Sequence, residues 1–208
     1  MADVIQIAPG VVHAPGFLDR PAQEALRDAI REVARAAPLF QPRMPRTGKA
    51  FSVRMTNCGP LGWVSDERGY RYQPTHPATG APWPPIPAQL LAAWSALAPG
   101  APEPQACLVN YYDAAARMGL HQDRDEEEFG APVVSLSLGD SCLFRIGGTE
   151  RAAPTRSFRL HSGDAMAFGG PARLAFHGVD KLYPGTSTLL ADGGRINLTL
   201  RRVTGAAA

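Results

Sequence analysis

A histidine and an aspartate lie two positions apart in the segment His121-Gln122-Asp123. In an extended strand, residues i and i+2 point to the same side, so the imidazole and the carboxylate would converge. Two histidines and one carboxylate form the facial triad that holds non-haem Fe(II) and leaves coordination positions open. The pair alone is a weak signal, because a His and an Asp at this spacing are common as ordinary surface residues.

The chain has five histidines, so few residues compete for the place of third ligand. His13 and His76 lie in proline-rich turns, where we expect a solvated surface role. His161 lies in a predicted tight turn and is expected to be structural. His177 ends a short apolar run that indicates a strand, and Gly178 follows it. By elimination, His177 is the best candidate for the third ligand.

The segment from residue 195 to residue 201 alternates strictly between apolar and polar side chains. Such alternation is typical of a half-exposed strand with its polar face in water. On this strand, however, Arg195 and Arg201 flank Asn197, and two guanidinium groups with fixed, always-charged donors can clamp a dicarboxylate. Asn110 and Tyr112 share one face of another predicted strand and could add neutral donors to the same ligand.

An iron site with open positions needs a source of electrons to activate O₂, and an acidic co-substrate would supply them. 2-Oxoglutarate can chelate iron through its keto-acid end while an arginine holds its other carboxylate. Oxidative decarboxylation to succinate would leave an oxidant that abstracts hydrogen from a nearby C–H bond. In such chemistry the protein contributes ligands, orientation and exclusion of water.

Two helices and many short strands are predicted to position these side chains. Apolar residues at helical spacing predict helices over 21–37 and 87–98. Short apolar runs separated by turn signals predict the strands 108–112, 133–138, 141–146, 157–160, 165–168, 174–177 and 195–203. This order predicts an α+β fold, mainly β, with the helices packed on one face of an antiparallel sandwich or barrel.

Between the two predicted helices the chain has little periodicity. Residues 41–50 carry Arg43, Arg46 and Lys49 among prolines and glycine, and we expect an exposed, mobile basic loop. Residues 51–85 are rich in glycine, proline and aromatic residues and are predicted to be irregular. A long irregular stretch inside a compact domain is usually functional.

The composition favours a single compact domain. The chain has 208 residues, 45% of them hydrophobic, and a formal net charge of +2, which excludes a strongly basic nucleic-acid binder. Three cysteines without a CxxC pair exclude a zinc ribbon and favour a reducing compartment. Without a transmembrane-length apolar run or a secretory signal, we expect a cytoplasmic monomer with no membrane contact. The terminal alanines, 206–208, are expected to form a frayed tail.

Several further segments follow one another in an order that belongs to a known family. They are Met55-Thr56-Asn57-Cys58-Gly59, Leu61-Gly62-Trp63, Gly69-Tyr70-Arg71-Tyr72, Asn110-Tyr111-Tyr112, Leu120 to Glu126, Val134 to Gly139, Arg173 to Gly178 and Arg195 to Thr199. With these motifs the chain resembles the AlkB family of Fe(II)/2-oxoglutarate-dependent nucleic-acid dealkylases, from about residue 50 to the C-terminus. The resemblance implies a double-stranded β-helix, or jelly roll, with N-terminal helices packed on it. It also implies one dioxygenase domain, 1–208, with a nucleotide-recognition lid at 40–85.

The resemblance also implies roles for individual residues. The catalytic iron ligands would be His121, Asp123 and His177. Arg195 would hold the far carboxylate of 2-oxoglutarate, and the rest of that site would be lined by Asn110, Tyr112, Asn197 and Arg201. The base pocket would be formed by Met55, Trp63, Tyr70, Asp125 and Arg151.

Within that pocket Trp63 would stack on the damaged base, and Asp125 would lie near its exocyclic amine or ring nitrogen. Stacking recovers part of the cost of flipping a base out of a duplex. A base methylated at N1 of adenine or N3 of cytosine is cationic, so a carboxylate would attract it more than the neutral product. The alternatives are a core aromatic for Trp63 and a solvated surface charge, beside three glutamates, for Asp125.

The resemblance implies oxidative demethylation of N1-methyladenine and N3-methylcytosine in single- or double-stranded DNA, with release of formaldehyde, succinate and CO₂. RNA is an alternative substrate, and the sequence does not rank the two. A second hypothesis is the same iron chemistry on a metabolite or a protein side chain. A third is a damaged-DNA-binding jelly roll without catalysis.

Overall fold

The computed structural model describes residues 4–205, which form two α-helices and two facing β-sheets with a separate hairpin. The helices are α1 (Arg20–Ala36) and α2 (Ala88–Leu97). The strands are β1 (Ile5–Ala8), β2 (Val11–Ala14), β3 (Arg54–Cys58), β4 (Gly62–Asp66), β5 (Gly69–Gln73), β6 (Ala106–Tyr112), β7 (Met118–His121), β8 (Val133–Gly139), β9 (Ser141–Ile146), β10 (Arg156–Leu160), β11 (Ala165–Phe168), β12 (His177–Tyr183) and β13 (Arg195–Arg201). The expected frayed tail, 206–208, lies outside the described residues.

Both predicted helices are confirmed, with ends that move by one residue. Asp19 caps the N-terminus of α1, where its side chain accepts a hydrogen bond from the backbone N–H of Ala22. The apolar stripe of α1 buries Leu26, Ile30 and Val33, at the spacing of one helix face. This face packs on the large sheet, so the helix lies where its apolar side chains leave water.

The large sheet has seven strands in the order β1-β2-β11-β8-β13-β6-β3, and the small sheet has four in the order β10-β9-β12-β7. All neighbours in both sheets are antiparallel. One face of the large sheet packs under both helices through residues such as Val109, Leu136 and Leu198. Its other face packs against the small sheet, in a hydrophobic cluster that includes Phe168 from the large sheet and Phe144 from the small one. The predicted α+β, mainly β jelly roll is confirmed.

The stretch 51–85 differs from its prediction, because it contains three strands. Strand β3 pairs with β6 and forms an edge of the large sheet, while β4 and β5 form a separate two-stranded hairpin. Burial does not alternate along these three strands, so their sequences lack the period-two pattern that predicts a strand. The exposed basic loop is confirmed, since Arg43, Arg46 and Lys49 are all exposed.

Three smaller predictions also need correction. The strand placed at 174–177 begins only at His177 and continues to Tyr183, and the strand placed at 195–203 ends at Arg201. His13 and His76 are buried, so a solvated role for them is wrong. The Nε2 atom of His13 lies 3.1 Å from Asp164 Oδ2, and that of His76 lies 2.8 Å from the carbonyl oxygen of Pro38.

Among the described residues, no helix is both long and apolar enough to cross a membrane.

Candidate active site

The two sheets enclose a cavity of about 470 Å³, a size suited to a small ligand. Every residue that the sequence proposed for the site lines this cavity. They are Met55, Trp63, Tyr70, Asn110, Tyr112, His121, Asp123, Asp125, Arg151, His177, Arg195, Asn197 and Arg201. Ten strands and the loops between them line the cavity, so the cavity exists only once both sheets have formed.

The predicted triad converges at this cavity. His121 ends β7 and His177 begins β12, and the two residues are direct partners across this antiparallel pair. Asp123 follows two residues after β7. One ligand atom from each of the three side chains lies within 4.8 Å of the others. Asp123 oxygens lie 3.7 Å from His121 Nε2 and 3.8 Å from His177 Nε2, so an ion between them would meet all three groups.

Backbone carbonyls orient both imidazoles. The Nδ1 atom of His121 lies 2.9 Å from the oxygen of Gly119, and that of His177 lies 2.9 Å from the oxygen of Ala175. With Nδ1–H donated to a carbonyl, Nε2 keeps a free lone pair for a metal. Burial lowers the pKa of His177 to about 4, so its imidazole is neutral and competent as a ligand near neutral pH.

Asp123 is buried and ionised. Burial, the largest single effect, raises the pKa of its carboxyl group, but the charges of Arg201, the two histidines and Arg173 together outweigh burial and lower the pKa to about 2. Oδ1 forms an ion pair with Arg201 Nη2 at 2.8 Å, whereas the buried Oδ2 has no hydrogen-bond partner among the described residues. A buried anionic oxygen without a donor needs a cation. The two histidines and this oxygen fit Fe(II), as the facial triad requires.

The polar face of β13 points into the cavity instead of into water. The opposite face packs under the helices, so the interpretation of β13 as an ordinary half-exposed strand does not hold. Arg195 is only 1% exposed, and its Nε and Nη1 atoms lack partners among the described residues. Oδ1 of Asn110 is also buried and unpaired there. The unpaired buried N–H donors of Arg195 suit an anionic ligand such as a carboxylate, whereas Asn110 Oδ1 can only accept a hydrogen bond.

The other residues predicted for the co-substrate pocket differ in how many of their polar atoms already have partners within the protein. Asn197 donates to Ser135 Oγ at 2.7 Å and accepts from the hydroxyl of Thr199. Burial raises the pKa of Tyr112, which keeps its hydroxyl neutral and able to donate. Arg201 forms an ion pair with Asp123 and donates to Tyr72 and Glu126, and of its nitrogen atoms Nε is buried without a partner among the described residues. The two arginines therefore differ, and Arg195 has the freer donors.

A buried charge network beneath Asp123 was missed by the sequence analysis. From the sequence, Glu126 was expected to be part of an exposed acidic run. Its side chain is instead fully buried and pairs with Arg173 at 3.2 Å and with Arg201 at 3.1 Å. Arg173 also donates to the backbone oxygen of Asp123 at 2.7 Å. The phenol of Tyr72 donates to Glu126 at 2.5 Å. One signal for this network was present in the sequence, because Arg173 belongs to the segment Arg173 to Gly178 that resembles a family motif.

The aromatic residues at the mouth of the cavity form a platform. Trp63 is 8% exposed, and its Nε1 donates to Asp125 Oδ2 at 2.8 Å. Tyr70 is half exposed and stacks on Trp63, with ring centres 5.7 Å apart and planes 17° apart. Asp125 therefore orients the indole as well as bringing a negative charge to the pocket. Arg151 lies at the exposed rim, where it donates to the oxygen of Leu120 and covers the ring of Phe176.

Comparisons with known proteins agree with this site. The model of the 2OG-Fe(II) oxygenase superfamily matches residues 10–201, and the chain belongs to that family, whose members need Fe(II), 2-oxoglutarate and O₂. A relative from Caulobacter vibrioides, named alpha-ketoglutarate-dependent dioxygenase AlkB homolog, is 54% identical over 202 residues, or 97% of this chain and 91% of the relative. Alpha-ketoglutarate-dependent dioxygenase AlkB from Escherichia coli is 41% identical over 200 residues, 94% of this chain and 91% of the relative. The solved structure of OsALKBH1 superposes with a TM-score of 0.81 at 31% identity, covering 96% of this chain and all of that one.

Close approach of β7 and β12 at the metal site depends on Gly178. A Cβ atom added there would lie 2.6 Å from the backbone oxygen of Met118 and 3.0 Å from Gly119, so the two strands would have to separate. At Gly119, on the facing strand, an added Cβ would meet nothing within 4 Å. These neighbouring glycines form a matched pair for testing how strand spacing sets ligand spacing.

We predict that Gly178→Ala lowers the affinity for Fe(II) by at least about tenfold, the loss typical when groups around metal ligands are disturbed. Gly119→Ala should leave the affinity within about twofold of the native protein, since its methyl group meets no atom. Anaerobic calorimetric titration with Fe(II) measures both values. Equal affinities for the two variants would show that strand spacing does not set the geometry of the triad.

Proposed function

We propose that this protein is a DNA repair dioxygenase that oxidatively demethylates bases such as N1-methyladenine and N3-methylcytosine, releasing formaldehyde, succinate and CO₂. The observation that carries the proposal is one cavity lined by the triad, by the unpaired donors of Arg195 and by the Trp63 platform with its acidic partner. The names of the relatives from Caulobacter vibrioides and Escherichia coli, together with the family motifs in the sequence, support this chemistry.

In this proposal His121, Asp123 and His177 hold the iron, and Arg195 holds the far carboxylate of 2-oxoglutarate. Bound Fe(II) and its co-substrates supply the oxidation of the methyl C–H bond. The chain itself fixes where this happens, because Arg195 orients the co-substrate from the floor of the cavity. The surrounding apolar residues keep water away from the open coordination positions.

The base-binding residues select and hold the substrate. Trp63 offers a ring face to a flipped base, and Met55 closes the pocket from β3. The negative charge of Asp125 attracts the cationic methylated base and releases the neutral product. The exposed residues Tyr70 and Arg151 lie at the rim, where they would contact the nucleotide backbone. Once hydroxylated, the methyl group leaves as formaldehyde and restores the base.

We assign residues 40–85 as a nucleotide-recognition lid on a single dioxygenase domain. The β4–β5 hairpin lies outside both main sheets and brings Trp63 and Tyr70 to the cavity, which supports this assignment. The exposed cations of the loop before it suit a phosphate backbone.

We also propose that the protein acts as a cytoplasmic monomer, in keeping with three free, buried cysteines.

The proposed activity is tested with a single-stranded oligonucleotide that carries one N1-methyladenine, together with Fe(II), ascorbate and 2-oxoglutarate. Formaldehyde and the restored adenine, measured by mass spectrometry, are expected in equal amounts. The same sequence as RNA, as a duplex and as the free nucleoside ranks the substrates. Turnover of 2-oxoglutarate without repair of any methylated base would favour a substrate outside nucleic acids. Failure to take up iron would favour a non-catalytic binding protein.

We predict that Arg195→Lys raises the KM for 2-oxoglutarate by roughly 10–100-fold, because lysine loses the fork of donors that a carboxylate accepts. The kcat at saturating 2-oxoglutarate should change much less. Arg159→Lys is the matched control, since Arg159 lies exposed on the small sheet over Tyr183, and its KM should equal that of the native protein. An unchanged KM in Arg195→Lys would remove this arginine from the co-substrate site.

We predict that Asp125→Asn lowers the preference for a methylated over an unmethylated oligonucleotide by roughly tenfold, because the amide keeps an acceptor for Trp63 but has no charge. Anaerobic fluorescence titration of both oligonucleotides gives the two Kd values. Glu127→Gln makes the same chemical change at an exposed site two residues away and should leave the preference intact. A preference retained in Asp125→Asn would mean that the charge does not select the base.

A further inference from the structure

Two side-chain hydrogen bonds tie the β4–β5 hairpin to the segment that carries two of the triad residues. Trp63, on β4, donates to Asp125 at 2.8 Å, and Tyr72, on β5, donates to Glu126 at 2.5 Å. Within the described sheets, β5 pairs with β4 alone. The hydroxyl group of Tyr72 is therefore a direct link between the second strand of the hairpin and the jelly roll.

The link continues from Tyr72 to the metal site. Arg201 donates from Nη1 to the oxygen of Tyr72 at 2.8 Å and to Glu126 at 3.1 Å. Nη2 of the same guanidinium forms an ion pair with Oδ1 of Asp123 at 2.8 Å. One rigid, planar group thus contacts both the hairpin and a residue of the triad. The guanidinium therefore connects the carboxylate of Asp123 to the phenol of Tyr72.

The network is buried, so replacing one of its hydrogen bonds by a bond to water is energetically costly. The side chain of Glu126 is fully buried, and those of Arg173 and Arg201 are 3% and 7% exposed. Burial also raises the pKa of Tyr72 well above its ordinary value, which keeps the hydroxyl protonated as a donor. Tyr72 does not line the cavity, so among the described residues it lies behind the site and outside contact with a ligand held there.

We propose that Tyr72 is a positioning residue that transmits occupancy of the metal and co-substrate site to the base-binding hairpin. Binding at Asp123 fixes the guanidinium of Arg201, which then holds the phenol and, through it, strand β5. The hairpin in turn holds Trp63 and Tyr70 where a base can stack. Because coupling between sites is reciprocal, a bound base should also strengthen binding at the metal and co-substrate site. The identity of the hairpin's ligand, a methylated base, rests on the proposed function.

The first experiment needs no nucleic acid and follows hydrogen exchange of the hairpin amides, residues 62–73, under anaerobic conditions. Addition of Fe(II) and 2-oxoglutarate should slow exchange in the native protein by at least about fivefold. Tyr72→Phe keeps the ring and removes the hydroxyl group, and in this variant the slowing should disappear. Tyr183→Phe makes the same change on the small sheet and should behave as the native protein does.

Iron affinity, measured by titration, should stay within about threefold of the native value in Tyr72→Phe, because Asp123 and both histidines are untouched. The inference is overturned if the native hairpin does not respond to Fe(II) and 2-oxoglutarate, or if Tyr72→Phe responds as fully as the native protein. A large loss of iron affinity would also overturn it, since Tyr72 would then support the metal site itself.

A second experiment separates this inference from the proposed function. The Kd for a methylated oligonucleotide is measured anaerobically with and without Fe(II) and 2-oxoglutarate. In the native protein the two ligands should tighten binding by roughly tenfold, an ordinary size for coupling between sites, and in Tyr72→Phe by less than about twofold. Absence of any preference for methylated nucleic acid contradicts the proposed function alone, because the exchange experiment still decides the role of Tyr72. Equal tightening in both proteins contradicts the inference alone.

Discussion

The site depends on a balance of buried charge, in which Glu126 lies between Arg173 and Arg201 beneath Asp123. Each of these buried carboxylates is paired with an arginine, and removing one partner of a buried pair costs about 3–5 kcal/mol. The two guanidinium groups hold Asp123 by its side chain and by its backbone. Its second oxygen is thereby left facing the histidines, which is the geometry that a cation requires.

The large sheet of the jelly roll supplies the rest of that geometry, because strand β13 presents apolar side chains on one face and polar side chains on the other. The helices cover one face of the large sheet, so the apolar side chains of β13 are buried there and its polar side chains turn inward. A polar face that would normally lie in water becomes the floor of a cavity. Across it, the β7–β12 pair fixes the spacing of the two histidines by backbone hydrogen bonds, independently of any metal.

The hairpin that carries the aromatic platform belongs to neither sheet, and this gives it a separate role. Backbone pairing does not fix β5 to the jelly roll, whereas the hydrogen bonds of the Tyr72 hydroxyl group with Glu126 and Arg201 do. Side-chain contacts of this kind can rearrange at lower cost than a strand in the middle of a sheet. The base pocket and the metal site are therefore built from different kinds of interaction, and the short acidic segment after β7 connects them.

The sequence by itself determined both helices, most strands and a set of site residues that all line the cavity, because periodicity, the His-x-Asp spacing and the family motifs are local. It did not reveal the strands β3, β4 and β5, because burial does not alternate along them and their sequences therefore lack the period-two pattern of a strand. It also misplaced His13 and His76 at the surface and left Glu126 in an exposed acidic run. Burial of a charged or polar side chain depends on distant partners, such as the two arginines that neutralise Glu126, and only the tertiary structure brings those partners together.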